Sequence, residues 1–235
     1  MSGRLPDARV RVPVSLMRWE SLTFLHWPCR PDDIAPLLPD GLVPDVVDGA
    51  AWVAVTPFLL RDLRAPGLPS PPPWSRVVEV NVRTYVRHPA SGTDGLWFLT
   101  LLCSRAAVVA GLRSIGLPYR RAQGAVRDAA GLTTYAARGA AGGALRATVV
   151  PGGRVAPDRW LDSVTGRWNA YTQRAGRLWR VPVDHAAWPL HAAGVTELDT
   201  DLLTWCGLPA PSGAPHVTWS PGVDVRIGAP RLLPR

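Results

Sequence analysis

Between residues 78 and 87 an acid, an amide, a cation and a phenol recur at every second position, Glu79, Asn81, Arg83 and Tyr85, with Arg87 extending the row. Val78, Val80, Val82 and Val86 fall between them, so an extended strand here would carry polar groups on one face and valines on the other. Same-face neighbours on a strand stand about 6.6 Å apart, which puts Glu79 and Arg83 roughly 13 Å from one another with Asn81 between them. That reach is too long for a direct ion pair and suits the two ends of a small ligand. Arg83 could hold a carboxylate through paired hydrogen bonds, and a buried Glu79 would have a raised pKa and serve as acid or base. The pattern admits two orientations: a solvated polar face over a valine core, or a polar lining inside a barrel-like cavity.

The same residue inventory removes several chemistries. All 26 basic residues are arginine. A guanidinium stays protonated, so no side chain here can form an imine with a carbonyl substrate. No Gly-x-Ser-x-Gly turn presents an activated serine. Cys29, Cys103 and Cys206 are far apart and outside any Cys-x-x-Cys arrangement, and they read as reduced packing thiols. His26 precedes Trp27-Pro28, while His185 and His191 flank Trp188-Pro189, but no zinc-type spacing links them and no metal is expected. Fingerprints for nicotinamide and flavin are missing, and pyridoxal phosphate lacks its lysine anchor, so no cofactor is expected. The glycines from Gly139 to Gly143 join strand to strand instead of opening a helix, which argues against a phosphate cradle.

These side chains need strands to hold them. Leu22 to Trp27 reads as a strand stopped by Pro28, and Pro31 to Leu38 as one or two helical turns begun by proline and two aspartates. Asp48-Gly49 between apolar pairs signals a hairpin, and 66–73 a proline-rich loop. Leu96 to Cys103 should pair with the alternating strand, followed by a short alanine-rich helix over Ala106 to Arg113. Three further strands are expected over Tyr119 to Arg127, Thr133 to Arg138 and Ala144 to Val150. Trp160, Leu161, Val164, Trp168, Tyr171 and Ala175 recur at three- and four-residue steps, which predicts a helix from Pro157 to about Gly176. Leu178 to Asp184, Gly194 to Glu197 and His216 to Ile227 read as later strands, the last broken at Pro221-Gly222. With no sustained βαβ alternation, the fold class is α+β and mostly β: a large antiparallel or mixed sheet closed like a barrel, with two or three packed helices. Residues 1–14 read as a flexible arm and 15–235 as a single domain.

A net charge of +8 raises nucleic acid or an anionic membrane as partners, but the arginines are dispersed singly except for Arg120-Arg121. Such a distribution makes a poor phosphate track, so neither nucleic acid nor membrane is expected. No apolar run reaches membrane-helix length and the first fifteen residues lack a signal-peptide core, which points to a cytoplasmic protein. The expected partner is a small molecule; homo-oligomerisation stays open.

Phe24-Leu25-His26-Trp27-Pro28, Asp48-Gly49-Ala50-Ala51-Trp52-Val53, Glu79 to Val86, Gly116-Leu117-Pro118-Tyr119, Trp188-Pro189-Leu190 and Ser220 to Val225 occur in one order along the chain. In these segments the sequence resembles the YqjF-like family of uncharacterised bacterial proteins, domain of unknown function 2071. More distantly it resembles the acetoacetate decarboxylase superfamily, which implies a barrel-like sheet around an internal pocket. The resemblance sets Tyr119 where those decarboxylases carry a reactive lysine and Arg120 where its cationic neighbour would stand, so the nucleophile is missing. It also favours an inward polar row. The candidate catalytic groups are then Glu79 and Tyr119, and the candidate ligand contacts Asn81, Arg83, Arg120, His26 and Trp27. The expected function is binding of a small anionic organic molecule without Schiff-base chemistry; the competing reading is a lysine-independent acid/base enzyme, of lyase or isomerase type, on a small keto or hydroxy acid.

Overall fold

A computed structural model describes Pro6 and residues 8–234. The chain forms β1 (Pro13–Cys29), α1 (Pro31–Ile34), β2 (Val43–Pro44), β3 (Ala51–Arg64), β4 (Arg76–His88), β5 (Thr93–Cys103) and α2 (Ala106–Arg113). It continues through β6 (Tyr119–Ala129), β7 (Leu132–Gly139), β8 (Ala144–Arg154), α3 (Arg159–Thr165), β9 (Asn169–Arg174) and β10 (Arg177–His185). β11 (His191–Thr200), α4 (Leu202–Trp205), β12 (His216–Gly228) and β13 (Arg231–Leu232) complete it.

All of these strands belong to one sheet, which closes twice. One ring runs β5-β6-β7-β8-β11-β12-β1-β3-β4 and returns to β5, nine strands in all. The other runs β5-β9-β10-β12-β1-β3-β4 and returns to β5, seven strands, so the two share the wall β5-β4-β3-β1-β12. Long antiparallel ladders build that wall, whereas the closures are short: β5 meets β6 and β9 in parallel over three and two residue pairs. At the β5–β9 closure the backbones approach so closely that a Cβ on Gly95 would press into the carbonyl oxygen of Asn169, which leaves room only for glycine.

A strand in a shared wall is buried on both faces, and β4 is the clearest case. Val80 and Val82 join Leu25, Val53, Val126 and Tyr135 in the core of the nine-stranded ring. Val77 and Tyr85, on the face of the polar row, join Phe24, Phe58 and Leu101 in a second core. The choice between water and core for the polar row is thus settled by topology: neither face of β4 looks outward except at its ends, where Arg76 and Arg87 are exposed and Arg87 pairs with Asp45 at 3.1 Å.

One expectation is corrected. The helix predicted from Pro157 to Gly176 ends at Thr165, and Asn169–Arg174 is strand β9. Trp168 and Tyr171 do point inward, but from an extended chain, and Ala175 (φ +49°) and Gly176 (φ +70°) form the hairpin turn to β10. A three-residue step between inward residues satisfies a helix and a strand joined by a bend alike. Within the arm expected over 1–14, Val10 is 7% exposed and its N–H donates to Asp184 Oδ2 at 3.0 Å. Residues 1–5 and 7 of that expectation lie outside the described residues.

Candidate functional site

Inside the seven-stranded ring lies a cavity of about 210 Å³. β4 delivers Glu79, Asn81 and Arg83 to its wall, and their exposures of 3%, 6% and 6% show a polar row almost removed from solvent. β3 adds Thr56, the register partner of Asn81, and β6 adds Tyr119 as its first residue. Val14 and Pro230, both exposed, border the same space and mark its mouth.

Tyr119 donates its hydroxyl to Glu79 Oε2 at 3.0 Å, and the Asn81 side chain also bonds this carboxyl. Burial pushes the Glu79 pKa up to about 7 despite both bonds, which favour the charged form. Burial, with the neighbouring Glu79 and Cys103, drives the Tyr119 phenol well above its ordinary range. Near neutrality Glu79 therefore exists in both protonation states and can give or take a proton, while Tyr119 stays a hydrogen-bond donor.

Arg83 lies with its guanidinium carbon 5.1 Å from the centre of the Phe24 ring. No carboxylate of a described residue pairs with it, and its Nε finds no acceptor. The Asn81 Oδ1 and Thr56 Oγ1 atoms are likewise buried without a partner among the described residues. Arg167, which also borders the cavity, contrasts with this: its Nη1 sits 2.6 Å from Asp45 and 3.3 Å from Asp94. One of the two buried cations is neutralised by the protein and the other is not.

Of the residues expected in the site, Glu79, Asn81, Arg83 and Tyr119 come together. His26 stands behind them: it is fully buried, its Nε2 lies 2.7 Å from the Tyr85 hydroxyl, and Tyr85 in turn bonds Arg83. Burial first, and the Arg83 charge second, hold His26 well below its ordinary pKa, so it supports Arg83 as a neutral ring. Trp27 and Arg120 fall elsewhere. Trp27 packs in the nine-stranded core with its indole N–H on the Gly213 carbonyl, and exposed Arg120 lies over Trp205 at 5.1 Å. Each follows a site-facing residue on a strand, and a period of two sends it to the opposite face. The three histidines next to Trp-Pro do not converge: His185 packs on Trp168 and Trp188, His191 on Trp219 and His26 on Trp160.

Thr56, Trp19, Arg167, His185 and Trp188 also border the cavity and were not in the expected set. His185 is neutral, its pKa lowered to about 4 by burial. The Trp188-Pro189 segment was a visible signal for this corner. Nothing local marks Thr56.

Residues 16–224 match the family model DUF2071, described as an uncharacterized conserved protein. The chain is 28% identical over 239 aligned positions to the uncharacterized protein YqjF of Bacillus subtilis (strain 168), covering 96% of each. Among solved structures it is similar to an acetoacetate decarboxylase-like enzyme from Sphingomonas wittichii RW1, with a TM-score of 0.65 at 14% identity over 97% of this chain and 96% of that one. It is also similar to the enduracididine biosynthesis enzyme MppR complexed with pyruvate, with a TM-score of 0.67 at 14% identity over 97% and 93%. Likenesses at this level of identity establish an acetoacetate decarboxylase-like fold.

Proposed function

The chain belongs to the DUF2071 family, and from that premise we propose that it binds a small organic anion in the cavity of the seven-stranded ring, with Arg83 as the charge anchor. One observation carries this reading: a buried guanidinium borders an apolar cavity with no carboxylate of a described residue to balance it. Leaving a charge buried and unpaired costs several kcal/mol, so such a cation is best understood as completed by the anion of a ligand. Asn81 and Thr56 offer a further acceptor and hydroxyl beside it. That a neighbour in fold is complexed with pyruvate, a small carboxylate, supports the same ligand class.

The ligand is held without an imine, because the chain has no lysine. The free thiols Cys29, Cys103 and Cys206 fit a reducing, cytoplasmic setting, and the reading needs no cofactor, metal, nucleic acid or membrane. Among the described residues no helix is long and apolar enough to cross a membrane.

The test is a thermal-shift comparison of pyruvate, 4-methyl-2-oxopentanoate and phenylpyruvate with their methyl esters, on the wild type and Arg83→Gln. At least one acid raises the wild-type Tm, its ester does not, and Arg83→Gln responds to neither. Equal responses in the two proteins would overturn the proposal. A second reading, acid/base catalysis on a keto or hydroxy acid, is favoured by the Glu79–Tyr119 contact at 3.0 Å with Glu79 near neutrality. Product analysis of each binder separates the two: turnover that Glu79→Gln abolishes makes the protein an enzyme, and unchanged ligand makes it a binder.

A further inference from the structure

The polar groups that Arg83 shares the cavity with are gathered on one side. Thr56, Glu79, Asn81 and Arg83 lie on the adjacent strands β3 and β4, with Tyr119 bonded to Glu79. Of the remaining polar lining, Arg167 has its charge balanced by Asp45 and Asp94, His185 Nδ1 meets the Ala186 carbonyl at 2.6 Å and Thr165 Oγ1 donates to the Leu161 carbonyl at 2.7 Å, while Arg167 Nη2 and Trp19 Nε1 have no acceptor among the described residues. The rest of the lining is mostly apolar: Phe98 is the register partner of Arg83 on β5, and Leu112, Val181, Val183 and Ile227 come from other elements, with the unpartnered indole N–H of Trp19 the exception among them.

Size sharpens the contrast. A cavity of about 150 Å³ accommodates benzene. This one holds about 210 Å³, which leaves space for a carboxylate beside an apolar group of that size. A two- or three-carbon acid would satisfy Arg83 and leave the apolar wall facing water. A polyhydroxylated acid would press hydroxyls against side chains that cannot bond them, at a cost for each.

We infer that the ligand is an amphipathic carboxylic acid, an aryl or branched-chain 2-oxo or 2-hydroxy acid, whose carboxylate meets Arg83 while its apolar body fills the space against Val181 and Val183 on β10. This rests on the anion-binding reading above and narrows it to a substrate class.

Calorimetric titration of the full-length chain with pyruvate, 4-methyl-2-oxopentanoate and phenylpyruvate tests it. Burial of each methylene is worth about a fourfold gain in affinity. Phenylpyruvate is therefore expected to bind at least about 100-fold more tightly than pyruvate, with the branched acid between them. Val181→Phe fills the apolar side and is expected to erase most of the phenylpyruvate advantage while keeping the weak pyruvate affinity. Should that variant fail to fold, the wild-type series decides alone. Equal affinities for pyruvate and phenylpyruvate, both lost in Arg83→Gln, would overturn the substrate class while leaving the anion site standing. Phenylpyruvate binding that survives Arg83→Gln unchanged, or no binding by any of the three, would overturn the class and the anchor together.

Discussion

Glu79 is a carboxyl whose folded environment opposes its own charge, and the consequence is measurable without any ligand. Its pKa rises from 4.5 to about 7 because burial outweighs the bonds from Tyr119 and Asn81. Between those values the native protein holds a proton that the unfolded chain has released, so stability falls as pH rises through this window. Above it the full penalty, about 3 kcal/mol, persists. Glu79→Gln removes the penalty. Because part of the penalty is already present at pH 5, it is expected to gain about 2.5 kcal/mol relative to wild type on moving from pH 5 to pH 8.5, read from urea unfolding at each pH. Parallel pH profiles for the two proteins would show that Glu79 is not held in this way. His185 acts in the opposite sense: its pKa, lowered to about 4, makes stability rise with pH up to the ordinary histidine value. It is common to both proteins and cancels in the difference. The identities of Glu79, Asn81, Arg83 and Tyr119 as a cluster were legible in the alternation and the Gly-Leu-Pro-Tyr segment. Thr56 and Arg167 were not, because the first is one threonine in an apolar strand and the second stands just past a helix, where no periodicity tells which way it points.

At the scale of elements, the strand period explains both the success and the failure of the sequence reading. Two residues apart means one face, so Glu79, Asn81 and Arg83 arrive together; one residue apart means opposite faces, so neither His26-Trp27 nor Tyr119-Arg120 can enter one site as a pair. α2 occupies Ala106–Arg113, the residues its composition marks, whereas the longer helix was drawn through a bend because Trp168 and Tyr171 keep inward positions on β9. The start of the chain shows an element the sequence did not reveal. Asp184, 3% exposed, accepts the Val10 N–H at 3.0 Å and the Arg9 guanidinium at 3.1 Å, while Arg226 Nε donates to the Val10 carbonyl at 2.9 Å. These bonds strap residues 9–11 beside the cavity mouth that Val14 borders. Asp184→Ala leaves a buried N–H without its acceptor, at a cost of about 1–3 kcal/mol. Amide exchange from Val10 to Val14 is then expected to quicken by at least about tenfold, and unchanged protection there would show that the strap is held by other means.

For the whole molecule, the decisive feature is that one sheet closes into two rings around a common wall. Its strands were largely legible, since most are long and bounded by Gly or Pro, but the closures were not: β5–β6 and β5–β9 rest on a few parallel pairs between segments with no shared pattern. The second closure is what turns the polar face of β4 from a surface into a lining, and it also assigns work to each ring. The nine-stranded ring is filled by Val80, Val82, Val126 and Tyr135, while the seven-stranded ring keeps the open volume. The net charge of +8 is spread over the outside and offers anions many weak contacts, so affinity alone does not locate a binding site. A crystal structure with 4-bromophenylpyruvate does, because the bromine marks the apolar end and the carboxylate the other. The carboxylate oxygens are expected within about 3 Å of the Arg83 guanidinium and the bromine against the apolar wall of the seven-stranded ring. A ligand seated on the outer arginines, or one lying in the cavity with its carboxylate turned to the mouth at Val14, would contradict it.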